Sequence, residues 1–135
     1  MINEALYDRI IGAADEYHET AEEQWAQVID LKPENDELEF EFRRLVRTAI
    51  RYYARAFLVL DMIETDDEQD LEDVLEIVLE QVPEFSEFFE KNDVLAMLDE
   101  DAQANLSRVF AIAESVRSLL LERSTQLAAS LQARF

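Results

Sequence analysis

Five arginines lie within residues 42–57, FRRLVRTAIRYYARAF, and no acidic residue interrupts them. A helix turns by about 100° per residue, so residues spaced four apart form one stripe along its surface. Guanidinium groups bind phosphate oxygens through paired hydrogen bonds, so this pattern indicates a surface that binds a nucleotide or RNA. The alternative is that these side chains pair with acidic residues of neighbouring helices or of a second subunit, and the sequence leaves both open. We call this set the arginine stripe: Arg43, Arg44, Arg47, Arg51 and Arg55.

The single histidine, His18, lies close in sequence to Asp15, Glu19 and Glu22, an arrangement that could place metal ligands on one helix face. A helical di-metal site requires a Glu-x-x-His element from each of two helices, and this chain has no second histidine. His18 also falls on the apolar stripe of its predicted helix. We therefore predict a core or boundary histidine, and no metal or cofactor.

Enzymatic chemistry has little support in the sequence. Glu34 and Glu37, followed by Glu64 and Asp67, mimic the magnesium-binding carboxylate pairs of helical nucleotide pyrophosphohydrolases, but 32 acidic residues produce such spacings by chance. There is no cysteine to act as a nucleophile, and the chain has only one histidine that could serve as the base for a serine, which disfavours a catalytic triad. A glycine-rich phosphate loop cannot be built from one glycine, Gly12. We predict that the chain is not an enzyme and has no catalytic residues.

The composition predicts the elements that would position these residues. One glycine and two prolines are too few for the many turns of a sandwich or barrel, whereas the abundant Leu, Ala, Glu and Arg favour helices. A length of 135 residues corresponds to one domain, so we assign residues 1–135 to a single helical bundle.

Apolar residues at spacings of three and four predict where the helices run. Proline and polar clusters mark the breaks, and Thr65 with Glu68 has the spacing of a capping box for the third helix. We predict an all-α, up-and-down antiparallel helical bundle of four to five helices. The predicted segments are 4–29, 35–63 as the central helix, 67–81, a short connector around 84–98, and 101–132.

The charge is segregated along the chain. The formal net charge is −20, and residues 64–101 contain 16 acidic residues and one basic residue, Lys91. A field of this size repels nucleic acid and anionic membranes as a whole. It indicates either an acidic surface that meets a basic partner or adaptation to a salt-rich cytoplasm. No apolar run is long enough to span a membrane and the N-terminus does not look like a signal peptide, so we predict a cytoplasmic protein.

The middle of the chain resembles HEPN domains, small helical bundles common in prokaryotes. A helix with paired aromatics and alanines ends in leucines, the next helix starts near a His-Asp-Leu-like position, and a proline break follows. The residues that carry this resemblance, within 52–95, are Tyr52, Tyr53, Ala54, Ala56, Leu58, Leu60, Gln69, Asp70, Leu71 and Pro83.

The resemblance implies association with nucleotides or RNA, a homodimer, and a nucleotidyltransferase partner. Many HEPN proteins are ribonucleases with an Arg followed by a His on the last helix, and this chain lacks that histidine. Our leading interpretation is therefore a non-catalytic HEPN-like protein that dimerises through its long helices and binds a nucleotide, RNA or a nucleotidyltransferase-type protein through the arginine stripe. The alternative is an acidic adaptor or antitoxin-like subunit that covers a basic protein.

Overall fold

The structure is a computed structural model that describes residues 4–31, 38–99 and 105–134. In these residues the chain forms only helices, which confirms the all-α prediction. There are six of them rather than four to five, because Asp93 adopts a left-handed conformation (φ 51°) and divides the predicted connector into two short helices. The helices are α1 Glu4–Leu31, α2 Glu39–Leu60, α3 Leu71–Gln81, α4 Phe85–Lys91, α5 Val94–Met97 and α6 Leu106–Arg134.

The helices pack side by side, and α1 lies antiparallel to the central helix α2, as expected for a helical bundle. Ile10, near the start of α1, clusters with Leu60 at the end of α2, so these two helices are antiparallel. The loop after α2 returns along that helix, from Thr65 beside Arg55 to Glu72 beside Arg47, and α3 then runs in the same direction as α2, so that its end at Gln81 lies near Phe57. The rings of Phe42 and Phe110 lie 6.5 Å apart, and Arg117 bonds to Tyr53, so α6 runs in the same direction as α2. This topology brings α1, α3 and α6 around α2.

The central position of α2 follows from its sequence. Two adjacent apolar seams cover nearly half of its circumference, and in the structure both are buried against the neighbouring helices. Phe42, Ala49, Ile50, Ala54 and Leu58 have no exposed surface. Three members of the arginine stripe, Arg47, Arg51 and Arg55, leave α2 toward α3 and the loop before it.

The start of α3 differs from the prediction. The helix begins at Leu71 rather than near residue 67, and the cap is Asp70, whose side chain accepts a hydrogen bond from the backbone N–H of Asp73 at 2.9 Å. The predicted capping box is wrong, because the backbone N–H of Glu68 donates to the Asp66 carboxylate and the Thr65 hydroxyl accepts from Arg55. The predicted helix starts at residues 35 and 101 lie outside the described residues. Within the described part of the chain, no helix is long and apolar enough to cross a membrane.

Candidate functional site

Arg47 joins the middle of α2 to α3 and α5. Its Nη1 and Nη2 atoms donate to the two carboxylate oxygens of Glu72 at 2.8 and 3.0 Å, and Nη1 also donates to the carbonyl of Leu98. This hydrogen bonding to Arg47 holds the pKa of Glu72 below its ordinary value. The paired geometry is the one that a phosphate would require, so Glu72 occupies the face that a ligand would use.

Arg51 holds the loop between α2 and α3. It donates to three backbone carbonyls of that loop, those of Gln69 at 2.7 Å, Asp67 at 2.8 Å and Asp66 at 3.3 Å. A guanidinium group satisfies several carbonyls at once because its donors are fixed in one plane. The loop has no helix or strand ladder to satisfy these groups, so Arg51 performs that role.

Arg55 is a buried arginine, only 2% exposed. It donates to the Thr65 hydroxyl at 2.7 Å, the Asp67 carboxylate at 2.7 Å, the Tyr17 hydroxyl at 3.0 Å and the Thr65 carbonyl at 3.2 Å. Its guanidinium carbon lies 4.4 Å from the ring centre of Tyr17 and 5.6 Å from that of Tyr52. The hydrogen bond from Arg55 holds the pKa of Asp67 below its ordinary value. These contacts fasten α1, α2 and the loop to one another.

The remaining two arginines of the stripe lie near the start of α2. Arg43 is buried and donates to Glu39 at 3.1 Å, whereas Arg44 is exposed and pairs with Glu41 one turn before it. Arg44 is thus the one exposed member of the stripe, and the other four are buried or half-buried. The sequence left open whether these arginines pair within the chain or bind a ligand. In the structure, the contacts that they make are pairings within the chain.

A second arginine centre was missed by sequence reasoning. Arg117 on α6 donates to the Tyr53 hydroxyl at 2.8 Å and to both carboxylate oxygens of Glu22 at 3.0 and 3.2 Å, and it lies 5.4 Å from the ring centre of Trp25. Burial raises the pKa of Tyr53 to about 12. The two ends of the ion pair are 95 residues apart. Spacing rules act over a few turns, so no local pattern could have found this pair.

His18 lies beside this centre, at the wall of an open groove of about 470 Å³ between α1 and α6. Its ring meets that of Tyr53 edge-on at 5.9 Å, and its Nε2 atom lies 3.5 Å from a Glu22 oxygen. The ring is half-buried, which is the boundary position that we predicted. Over the described residues, no three potential ligand side chains gather to hold a metal ion. Glu34 and Glu37 lie outside those residues.

The acidic residues of α3 and α4 contrast with the arginines. The inner face of α3 buries Leu71, Val74, Leu75 and Val78; Glu72 turns toward Arg47, and the other acidic residues of α3 face outward, as do two glutamates of α4. Five exposed carboxylates result, and their side chains have no hydrogen bond or ion pair with another residue that the structure describes. We call this set the acidic face: Asp73, Glu76, Glu80, Glu87 and Glu90.

Comparison with known proteins adds no identification. No protein-family model, curated protein or solved structure matches this chain. The HEPN resemblance therefore stays a prediction.

Proposed function

We propose that this chain is a non-catalytic, protein-binding subunit whose acidic face binds a basic segment of another protein. The observation that carries the proposal is the division of charge between the two surfaces. The arginine stripe is engaged by Glu72, by Asp67 and by loop carbonyls, whereas the carboxylates of the acidic face extend into solvent with no cationic partner in the described residues.

The field of the molecule favours such a partner. Residues 64–101 carry a net charge of −15, which is most of the net charge of −20 of the whole chain. A surface with one sign of charge accelerates encounter with the opposite sign and rejects partners of its own sign. Lysine- or arginine-rich protein segments fit this field. Nucleic acids do not, because their phosphates carry the same sign as the protein.

The nucleotide or RNA function stays a prediction that depends mainly on Arg44, the exposed member of the stripe. Its neighbour Glu41 would have to give up its ion pair for a phosphate to bind there. The homodimer and the nucleotidyltransferase-type partner, which the HEPN resemblance implies, also stay predictions. A nucleotidyltransferase-type protein with a basic surface would be one partner of the kind that we propose.

The proposal can be tested with two charge-matched variants. Glu76→Gln/Glu80→Gln removes two charges from the acidic face, and Glu114→Gln/Glu122→Gln removes two from exposed positions of α6. Each immobilised protein is incubated with lysate, and the proteins retained are identified and eluted with salt. We expect the parent and the α6 variant to retain the same basic protein, the acidic-face variant to retain much less, and about 0.5 M salt to release it because screening shortens the Debye length.

The proposal is wrong if both variants retain the same proteins equally, since then the position of the charge does not matter. It is also wrong if the retained protein is acidic or resists high salt, because the interaction would then not be electrostatic.

A further inference from the structure

A cavity of about 280 Å³ lies where the C-terminal ends of α2 and α3 meet the side of α6. Phe57 and Asp61 line it from α2, Gln81 lines it from α3, and one face of α6 forms the remaining wall. Pockets that hold drug-sized ligands begin at about 300 Å³, so this cavity suits a smaller molecule.

The α2 and α3 side of the cavity is electrically negative. Asp61 is half-buried, its side chain makes no hydrogen bond or ion pair with another residue that the structure describes, and burial raises the pKa of its carboxyl group. Asp61 is also the C-cap residue of α2, at the negative end of that helix dipole, and neither α2 nor α3 has a basic residue in its last turn. Two helix ends and a carboxylate therefore favour a cationic group on this side.

The α6 side has the opposite charge. Arg123 lines the cavity, and its guanidinium group makes no hydrogen bond within the described part of the chain. Its ion-pair partner Glu84 is 70% exposed and lies 3.7 Å away, and an exposed pair of this kind contributes little to stability. Gln126 and Ser130 lie one and two turns further along the same face and add uncharged donors. This side therefore favours an anionic group.

The rest of the lining includes apolar side chains, among them Phe57 and Leu127. A ligand that matches the whole lining has an ammonium group for Asp61, a carboxylate for Arg123 and a small apolar body. Such a molecule has no net charge, so the net charge of −20 on the protein neither attracts nor repels it, and the groups of the cavity decide its binding.

We propose that this cavity binds a free α-amino acid with an apolar side chain. Asp61 accepts hydrogen bonds from the ammonium group, Arg123 donates to the carboxylate, and the side chain packs against Phe57 and Leu127. Charge-assisted hydrogen bonds of this kind are the strong ones, and here both charges of the ligand make them. The inference goes beyond the proposed function, because none of the five carboxylates of the acidic face lines this cavity.

The test compares leucine with two analogues that each lack one of its charges. Isopentylamine keeps the ammonium group of leucine, and isocaproate keeps the carboxylate. Binding is measured by NMR titration of the nitrogen-15-labelled protein, which also shows which residues contact the ligand. We expect leucine to bind at least about tenfold more tightly than either analogue, because one charged hydrogen-bonded contact contributes about that factor. The largest shifts should occur at Asp61 and Arg123.

Two variants assign each charge of the ligand to a residue. In Asp61→Asn, the affinity for leucine should fall to that for isocaproate, while isocaproate binds as it does to the parent. In Arg123→Gln, the affinity for leucine should fall to that for isopentylamine. Glu114→Gln is the charge-matched control, since Glu114 is exposed on α6 and does not line the cavity, and it should bind leucine as the parent does.

The comparison of ligands on the parent protein decides the question even if a variant is unstable. Equal affinity for leucine and both analogues would overturn the inference, and so would a failure of leucine, alanine and phenylalanine all to bind. Leucine binding that Asp61→Asn and Glu114→Gln weaken equally would also overturn it, because overall charge and not the cavity would then be responsible.

Discussion

Replacing Arg55 with alanine tests whether the arginine stripe stabilises the fold. The change removes a buried guanidinium group together with its hydrogen bonds to the Thr65 hydroxyl, the Thr65 carbonyl and the Tyr17 hydroxyl. At about 1 kcal/mol each, these contribute about 3 kcal/mol. The stacked ring of Tyr17 adds about 1 kcal/mol. The Asp67 carboxylate is 90% exposed and can be rehydrated, so we assign it no share.

The expected loss is therefore about 4 kcal/mol in the free energy of unfolding, a large fraction of the stability of a domain this size. It can be measured by urea unfolding followed by circular dichroism, with linear extrapolation to water. Arg55→Lys should lose about half as much, because an ammonium group keeps the charge but cannot make the forked contacts. Arg44→Ala is the matched control on the same helix, and its unfolding midpoint should stay unchanged.

A loss below about 1 kcal/mol for Arg55→Ala would refute the reasoning, because buried, well-directed hydrogen bonds would then contribute almost nothing. Equal losses for Arg55→Ala and the Arg44→Ala control would refute it as well. Such a result would mean that a buried arginine and an exposed arginine contribute equally to stability. The arginine stripe would then again be a candidate surface for binding a ligand.

Three further predictions concern pH and phosphate binding. The folded pKa of Tyr53 is about 12, above the ordinary value of about 10, so its protonated form is favoured in the folded state. The stabilisation that this group contributes to the folded state is fully present below about pH 10 and is lost as the pH rises toward 12. In Tyr53→Phe, the free energy of unfolding should therefore fall less steeply between these pH values. The pKa of Glu72 is depressed by Arg47, so its stabilisation is present above the ordinary glutamate pKa and is lost as the pH falls through the folded value. Glu72→Gln should be less stable than the parent at pH 7, and acid titration of both proteins should show the difference disappearing. For the phosphate interpretation, we expect calorimetry with ATP and with a short RNA to show no binding by the parent; binding that Arg44→Gln abolishes would contradict this.

The sequence alone was sufficient for the fold class and for the buried faces of the helices. Helical periodicity is local, since residues three and four apart share a face whatever the rest of the chain does. Phe42, Leu45 and Ala49 follow one another at spacings of three and four on the central helix, and all three are buried. The scarcity of glycine and proline excluded turn-rich folds for an equally local reason.

The tertiary structure decided which partner each arginine has. Arg47 and Glu72 lie on different helices, and their pairing requires the loop between α2 and α3 to return along α2 until α3 begins beside Arg47. Arg51 binds carbonyls, which no residue-type pattern records. The sequence showed that five arginines share a helix face and that many acids follow, but not which of them meet. That outcome depends on distances between helices, and only packing of the whole core sets those distances. Packing turned a basic surface inward and left the acidic face exposed.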